Sequence, residues 1–207
     1  MIAALDGAYT KMTYFKAITK THIYARRLLL VVLGFVLSCG VAVAEESGFT
    51  VIDASTELAN KVYRLTASFN YDLSVPVKEA LSNGLPIVLE LDIEILRPRR
   101  FYLWAEDVAA LKQQYRIQFH ALSKQYLVKN LNSGEQNYFQ TLHSALSSLE
   151  YVRDLPIIDQ SLLNPNEKYL VRLRAGIDLD ALPVPLRLFA YFSPSWHLSS
   201  DWYSWSL

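Results

Sequence analysis

Leu85-Pro86-Ile87-Val88-Leu89-Glu90-Leu91-Asp92-Ile93-Glu94-Ile95 is the stretch that decides how this chain folds. Every odd position is apolar, while Glu90, Asp92 and Glu94 occupy even ones. Successive side chains of a strand point to opposite faces, so this alternation predicts a strand with one buried face and one wet face. Three further segments repeat the pattern. Tyr63–Leu73 places Tyr63, Leu65, Ala67, Phe69, Tyr71 and Leu73 on one side, against Arg64, Thr66, Ser68, Asn70 and Asp72. Gln114–Ala121 aligns Tyr115, Ile117, Phe119 and Ala121. Tyr169–Asp180 aligns Tyr169, Val171, Leu173, Ala175, Ile177 and Leu179, with Arg172, Arg174, Asp178 and Asp180 opposite. Phe69, Leu91, Phe119 and Leu173 are therefore expected in the core.

Shorter strands are expected at Phe49–Ala54, Tyr126–Asn130 and Gln136–Phe139. The last two flank the turn-rich Leu131-Asn132-Ser133-Gly134-Glu135 and read as a hairpin. Two short helices fit the remaining pattern. Ser74 is placed to cap Val75–Asn83, with Gly84 ending it. Leu142, Leu146 and Leu149 form one helical stripe within Thr141–Glu150. Pro183, Pro185 and Pro194 predict an irregular C-terminal stretch. One polar face per strand favours antiparallel pairing. The expected fold is mainly β: an antiparallel β-sandwich, immunoglobulin-like in general architecture, with one or two short helices. A two-layer α+β arrangement is the alternative. A membrane β-barrel is disfavoured by the helical stripe, the prolines and the small number of long strands.

The first 44 residues differ in character from the rest. Lys20, Arg26 and Arg27 precede the uncharged run Leu28–Leu37, and Ala42-Val43-Ala44 offers small residues before Glu45. This is the pattern of an export signal cleaved between Ala44 and Glu45. An uncleaved anchor would use Leu28–Ala44, which is short for a bilayer crossing, and would bring membrane contact with it. Val36-Leu37-Ser38-Cys39 loosely resembles a lipidation site, and Met12 is an alternative start. The expected organisation is a signal peptide over 1–44 and one β-rich envelope domain over 45–207, periplasmic or otherwise envelope-associated. That domain carries 15 basic and 19 acidic side chains, which argues against nucleic acid as a partner. Cys39 is the only cysteine, so the processed protein would have no disulfide, thiol nucleophile or thiolate metal site.

Residues suited to chemistry are sparse. Glu90, Asp92 and Glu94 form a carboxylate row, but glycoside hydrolysis needs two carboxyls flanking a cleft, one with a raised pKa. Pairing with Arg172 and Arg174 on a neighbouring strand is the expectation. His120, His143 and His197 are not spaced as metal ligands, and no nucleophile elbow or phosphate-cradling glycine loop occurs. No cofactor, metal site or catalytic residue is therefore assigned. Two clusters suit binding instead. Arg97, Arg99, Arg100, Tyr102 and Trp104 follow the carboxylate-bearing strand, and Trp202, Tyr203 and Trp205 lie in a tail that holds three of the four tryptophans. Arginine and large aromatics dominate binding hot spots. The tail is also expected to dock as a last strand or cap, because its rings are costly to leave in water.

Four stretches carry a family resemblance: Arg97-Pro98-Arg99-Arg100, His120–Val128, Asn130–Glu135 and Ser199-Ser200-Asp201-Trp202-Tyr203. Across about residues 50–207 the chain resembles the domain-of-unknown-function family numbered 4390. That resemblance implies an exported proteobacterial protein of a family whose genes can lie near a membrane sensor kinase of the nitrogen-regulation type. It implies no activity and no catalytic residues. The functional expectation is a non-enzymatic binding or accessory domain of the envelope whose partner is an envelope protein, with a sensor kinase as first candidate. A cofactor-independent envelope hydrolase is the alternative.

The export reading makes a direct prediction. Intact-mass measurement of the protein recovered from the envelope of an expressing bacterium should give a chain starting at Glu45. A full-length mass or a lipid adduct on Cys39 would overturn it.

Overall fold

The alternation centred on Leu91 is realised as the third of nine strands in the computed structural model, which describes residues 47–98 and 106–207. In chain order the strands are β1 (Phe49–Ala59), β2 (Val62–Tyr71), β3 (Ile87–Arg97), β4 (Glu106–His120), β5 (Gln125–Asn130), β6 (Gln136–Phe139), β7 (Tyr151–Asp159), β8 (Leu170–Ile177) and β9 (Tyr203–Ser206). Three α-helices join them: α1 (Val75–Ser82), α2 (Leu142–Ser147) and α3 (Val184–Phe192). Short 3-10 turns lie at Gln160–Leu162, Leu179–Ala181 and Pro194–Trp196.

All pairings between named strands are antiparallel, in a three-stranded sheet β1-β2-β7 and a six-stranded sheet β6-β5-β4-β3-β8-β9. Strand β3 sits inside the larger sheet, and its inward residues Ile87, Leu89, Leu91, Ile93 and Ile95 are all at most 1 % exposed. Leu65 and Phe69 of β2 meet them from the smaller sheet, and Val77 and Leu81 of α1 join the same core. The result is the mainly β sandwich that the alternation predicts, with its own strand order. Fully burying side chains of this size stabilises by roughly 1.5–3 kcal/mol each, so this double layer is the main source of stability.

Several expected details change. Among the described residues there are three α-helices, one more than the two segments expected. Pro183 and Pro185 do not make Val184–Phe192 irregular: they flank the start of α3, where proline's fixed φ is compatible with a helix and its missing N–H is not needed. Ser74 stands at the N-cap of α1, but its hydroxyl makes no cap; it donates to the Ser195 carbonyl at 2.6 Å. Gly84 does follow the helix, in the left-handed region at φ +84°. Phe119 is only half-buried, its ring packing on Tyr126 near the end of the β4–β5 hairpin with centroids 4.9 Å apart. Ala121 is exposed in the following turn. Asp178 and Asp180 do not line a strand face: Asp178 caps the Leu179–Ala181 turn through the amides of Asp180 and Ala181. Strand β4 begins at Glu106, well before the expected Gln114, and β7 carries no clean alternation because its register against β2 shifts twice.

Leu91 and Asp92 are neighbours on opposite faces of β3, so they report its register. Leu91→Ala should cost about 2–5 kcal/mol in denaturant unfolding. Asp92→Ala, which removes only partly exposed ion pairs, should cost about 1 kcal/mol or less. Equal losses would mean that the two faces are exchanged.

Candidate functional site

The outer face of the six-stranded sheet is built from the even positions of β3 and what its neighbours place beside them. Asp92 lies directly across from Lys112 of β4 and Arg174 of β8, and Glu94 across from Arg172. Arg174 donates to Asp92 at 2.8 Å, Lys112 to Glu90 at 2.8 Å, and Arg172 pairs with Glu94. The bond to Glu90, with the nearby Asp92 charge, raises the Lys112 ammonium above its ordinary pKa. The carboxylate row is thus neutralised by adjacent strands on an open sheet face. Such paired groups stabilise the sheet; they are not arranged as an acid and a base across a cleft.

The tail completes this face. Leu198–Ser200 runs beside the end of β8, with Ser200 exchanging hydrogen bonds with Ala175 and Gly176 bridging to Ser199. Strand β9 then pairs with Leu170–Leu173. Trp202 lies between these two paired stretches, and both Arg172 and Arg174 stack over its ring, at 4.4 and 4.7 Å from the centroid. Each guanidinium is held between a carboxylate and an aromatic face, an arrangement favoured electrostatically by the ring quadrupole. Tyr203 and Trp205 are half-buried against the core, and Trp205 Nε1 donates to Thr56 of β1 at 3.1 Å. The tail therefore docks as a last strand and ties the two sheets together.

Of the first predicted cluster, Arg97 is bound to Glu106 and to Glu167, the latter at 2.5 Å. These two bonds, Glu106 first, hold its guanidinium charged beyond the ordinary range. Arg99, Arg100, Tyr102 and Trp104 lie outside the described residues, as do Ala44 and Glu45. Arg97 and Trp202 belong to separate groupings, each with its own partners.

A feature that the sequence reading passed over is α3. Val184, Leu188, Phe189 and Phe192 are exposed at 67, 64, 63 and 87 %, and only Ala190 of this helix is buried. At about 100° per residue they share one side with Pro185, so the solvent face contains no charged group. Arg187, on another side, donates to the Leu182 carbonyl at 3.2 Å and lies 3.9 Å from Asp180. The signal was present as the nearly continuous apolar run Val184–Phe192, hidden because its prolines read as breakers. Among the described residues, no helix is long and apolar enough to cross a membrane, and no group of three or more His, Cys, Asp or Glu side chains is placed to hold a metal ion.

These features define a two-sheet β domain with an ion-paired outer face and an apolar helix turned to solvent. The family model described as Domain of unknown function (DUF4390) matches residues 46–206, and the chain belongs to that family. Comparison with curated proteins and with solved structures finds no match.

The stacked tail is testable by coupling. Trp202→Leu should cost about 1–2 kcal/mol in chemical denaturation through lost ring–guanidinium contact. In an Arg172→Met background the same change should cost about 0.5–1 kcal/mol less. Strict additivity would show that the ring and the guanidinium do not interact.

Proposed function

We propose that this protein is a non-enzymatic binding module of the bacterial envelope, exported by way of residues 1–44, that engages a protein partner through the solvent face of α3. The observation that carries the reading is the four large apolar side chains of that helix left in water on one uncharged face. Monomeric soluble proteins seldom display contiguous apolar patches of this kind unless something covers them.

Charge favours a protein over a lipid surface as the occupant. Interfacial helices that bind anionic membranes are rich in lysine and arginine on their polar face. Helix α3 has a single arginine, committed to Leu182 and Asp180. A hydrolase reading gains nothing comparable, since the carboxylates of β3 are spent on neighbouring strands. An envelope protein is therefore the partner class, and the extracytoplasmic domain of the sensor kinase implied by the family resemblance is the first to test.

Leu188→Asp combined with Phe192→Asp should leave thermal melting within a few degrees of wild type, because both side chains are exposed. Calorimetric titration with the purified sensor domain should show binding by the wild type, weakened at least tenfold in the double variant. Equal binding by both proteins would remove α3 as the contact. Binding of the wild type to vesicles of phosphatidylglycerol and phosphatidylethanolamine, lost in the variant, would replace the protein partner with a lipid one.

A further inference from the structure

At the other end of β2 from α3 the two sheets part. Strand β4 is paired with β3 along its length from Glu106 to Ile117, but β5 runs beside it only from Tyr115 to His120. Just before that pairing, the Asn132 side chain takes the place of a strand: it accepts from the Gln114 amide at 2.8 Å and donates to the Lys112 carbonyl at 2.9 Å. Backbone groups of an antiparallel strand point to the same edge every second residue. The N–H and C=O of Ala110 therefore face the same edge, and among the described residues no strand lies beside them.

That edge opens onto a groove of about 620 Å³ lined from both sheets. Val108, Ala109 and Leu111 of β4 form one wall; Pro156, Ile157 and Leu162 contribute to the other. Ala109 and Leu111 stand opposite Ile95 and Ile93, so they share the inward face of the large sheet. Leu162 is 72 % exposed at the rim. Strand β7 is also an edge, but a blunted one. Pro156 has no N–H to offer, Asp154 adopts a left-handed φ of +56°, and the register against β2 is broken twice. The β4 edge has no proline between Glu106 and Gln114.

We infer that this groove receives an extended segment of a partner protein, which pairs with β4 at Ala110 and places alternate apolar side chains between the sheets. Two features on one site specify such an occupant. An open ladder edge calls for the backbone of a strand, and an apolar cleft beside it calls for side chains at every second position; together they are the requirements of β-strand addition. The rim adds a charge preference. Asp159 lines the groove and is exposed, and amide and hydroxyl bonds from Ser161 lower its carboxyl below its ordinary pKa, with Lys61 the nearby cation. A basic residue flanking the apolar positions would meet the Asp159 carboxylate. This surface is separate from α3, so its test stands apart from the preceding one.

The probe is a random nine-residue peptide library displayed on phage and selected against the purified chain, followed by the enriched sequence as a synthetic peptide. The expected outcome is enrichment of peptides with apolar residues at alternate positions. Their binding should fall at least tenfold on Ala110→Pro, because that N–H serves the open edge and not the β3 ladder. It should also fall at least tenfold on methylating the peptide amides that pair, a change that leaves the protein untouched should Ala110→Pro fail to fold. Hydrogen exchange at Ala110 should be fast in the free protein and slow at least tenfold with peptide bound, while the α3 double variant binds the peptide normally. No enrichment, peptides without alternation, indifference to amide methylation, or an Ala110 amide already protected in the free monomer would each overturn the proposal. A dimer in sedimentation that Ala110→Pro dissolves would overturn it in favour of a second copy of the chain.

Discussion

Strand β3 presents five consecutive inward positions that no other element of its own sheet can cover, and the remainder of the domain is arranged to keep water from them. Ile87, Leu89, Leu91, Ile93 and Ile95 form an apolar ridge along the interior of a six-stranded sheet. A sheet shields only its edges; its faces need a second layer. Strands β1, β2 and β7 supply that layer, and β2 contributes the alternating Leu65, Ala67, Phe69 and Tyr71 that meet the ridge. Helix α1 closes one end with Val77 and Leu81, and α2 adds Ala145 and Leu146.

The opposite face of the same strand sets a second condition. Carboxylates at every second position repel one another unless cations stand beside them. Lys112 from one neighbour and Arg172 and Arg174 from the other meet that need in the observed register. Shifting β8 by one residue would send its arginines into the core, so charge and hydrophobicity select the same alignment. Trp202 then covers the two guanidinium groups from outside. The carboxylates look like chemistry in one dimension and act as register marks in three.

What the core does not need is left at the surface. Helix α3 touches the core chiefly through Ala190, which leaves the larger side chains of its other sides facing solvent. Among the described residues the β4 edge remains open because β5 is shorter than β4, and Asn132 ends the pairing where β5 stops. The open edge follows from unequal strand lengths, and the exposed helix face from a core contact made through one small residue.

The alternation in Tyr63–Leu73, Leu85–Ile95 and Tyr169–Asp180 was sufficient to fix three strands, the last ending at Ile177, with their inward faces and the antiparallel, mainly β character, because side-chain direction in a strand is local. The Leu131–Glu135 turn and the helical stripe within Thr141–Glu150 were legible for the same reason. Strand β7 was not, since its bulges and Pro156 erase the alternation and only pairing with β2 makes it a strand. Helix α3 is hidden in the sequence because a proline at a helix start and one in its interior look alike until the start is known. The sequence also singled out Trp202 but could not say that two arginines thirty residues earlier would stack on it. Periodicity reports which way each side chain faces along its own element; which elements become neighbours, and which faces stay uncovered, depends on packing between segments distant in the chain.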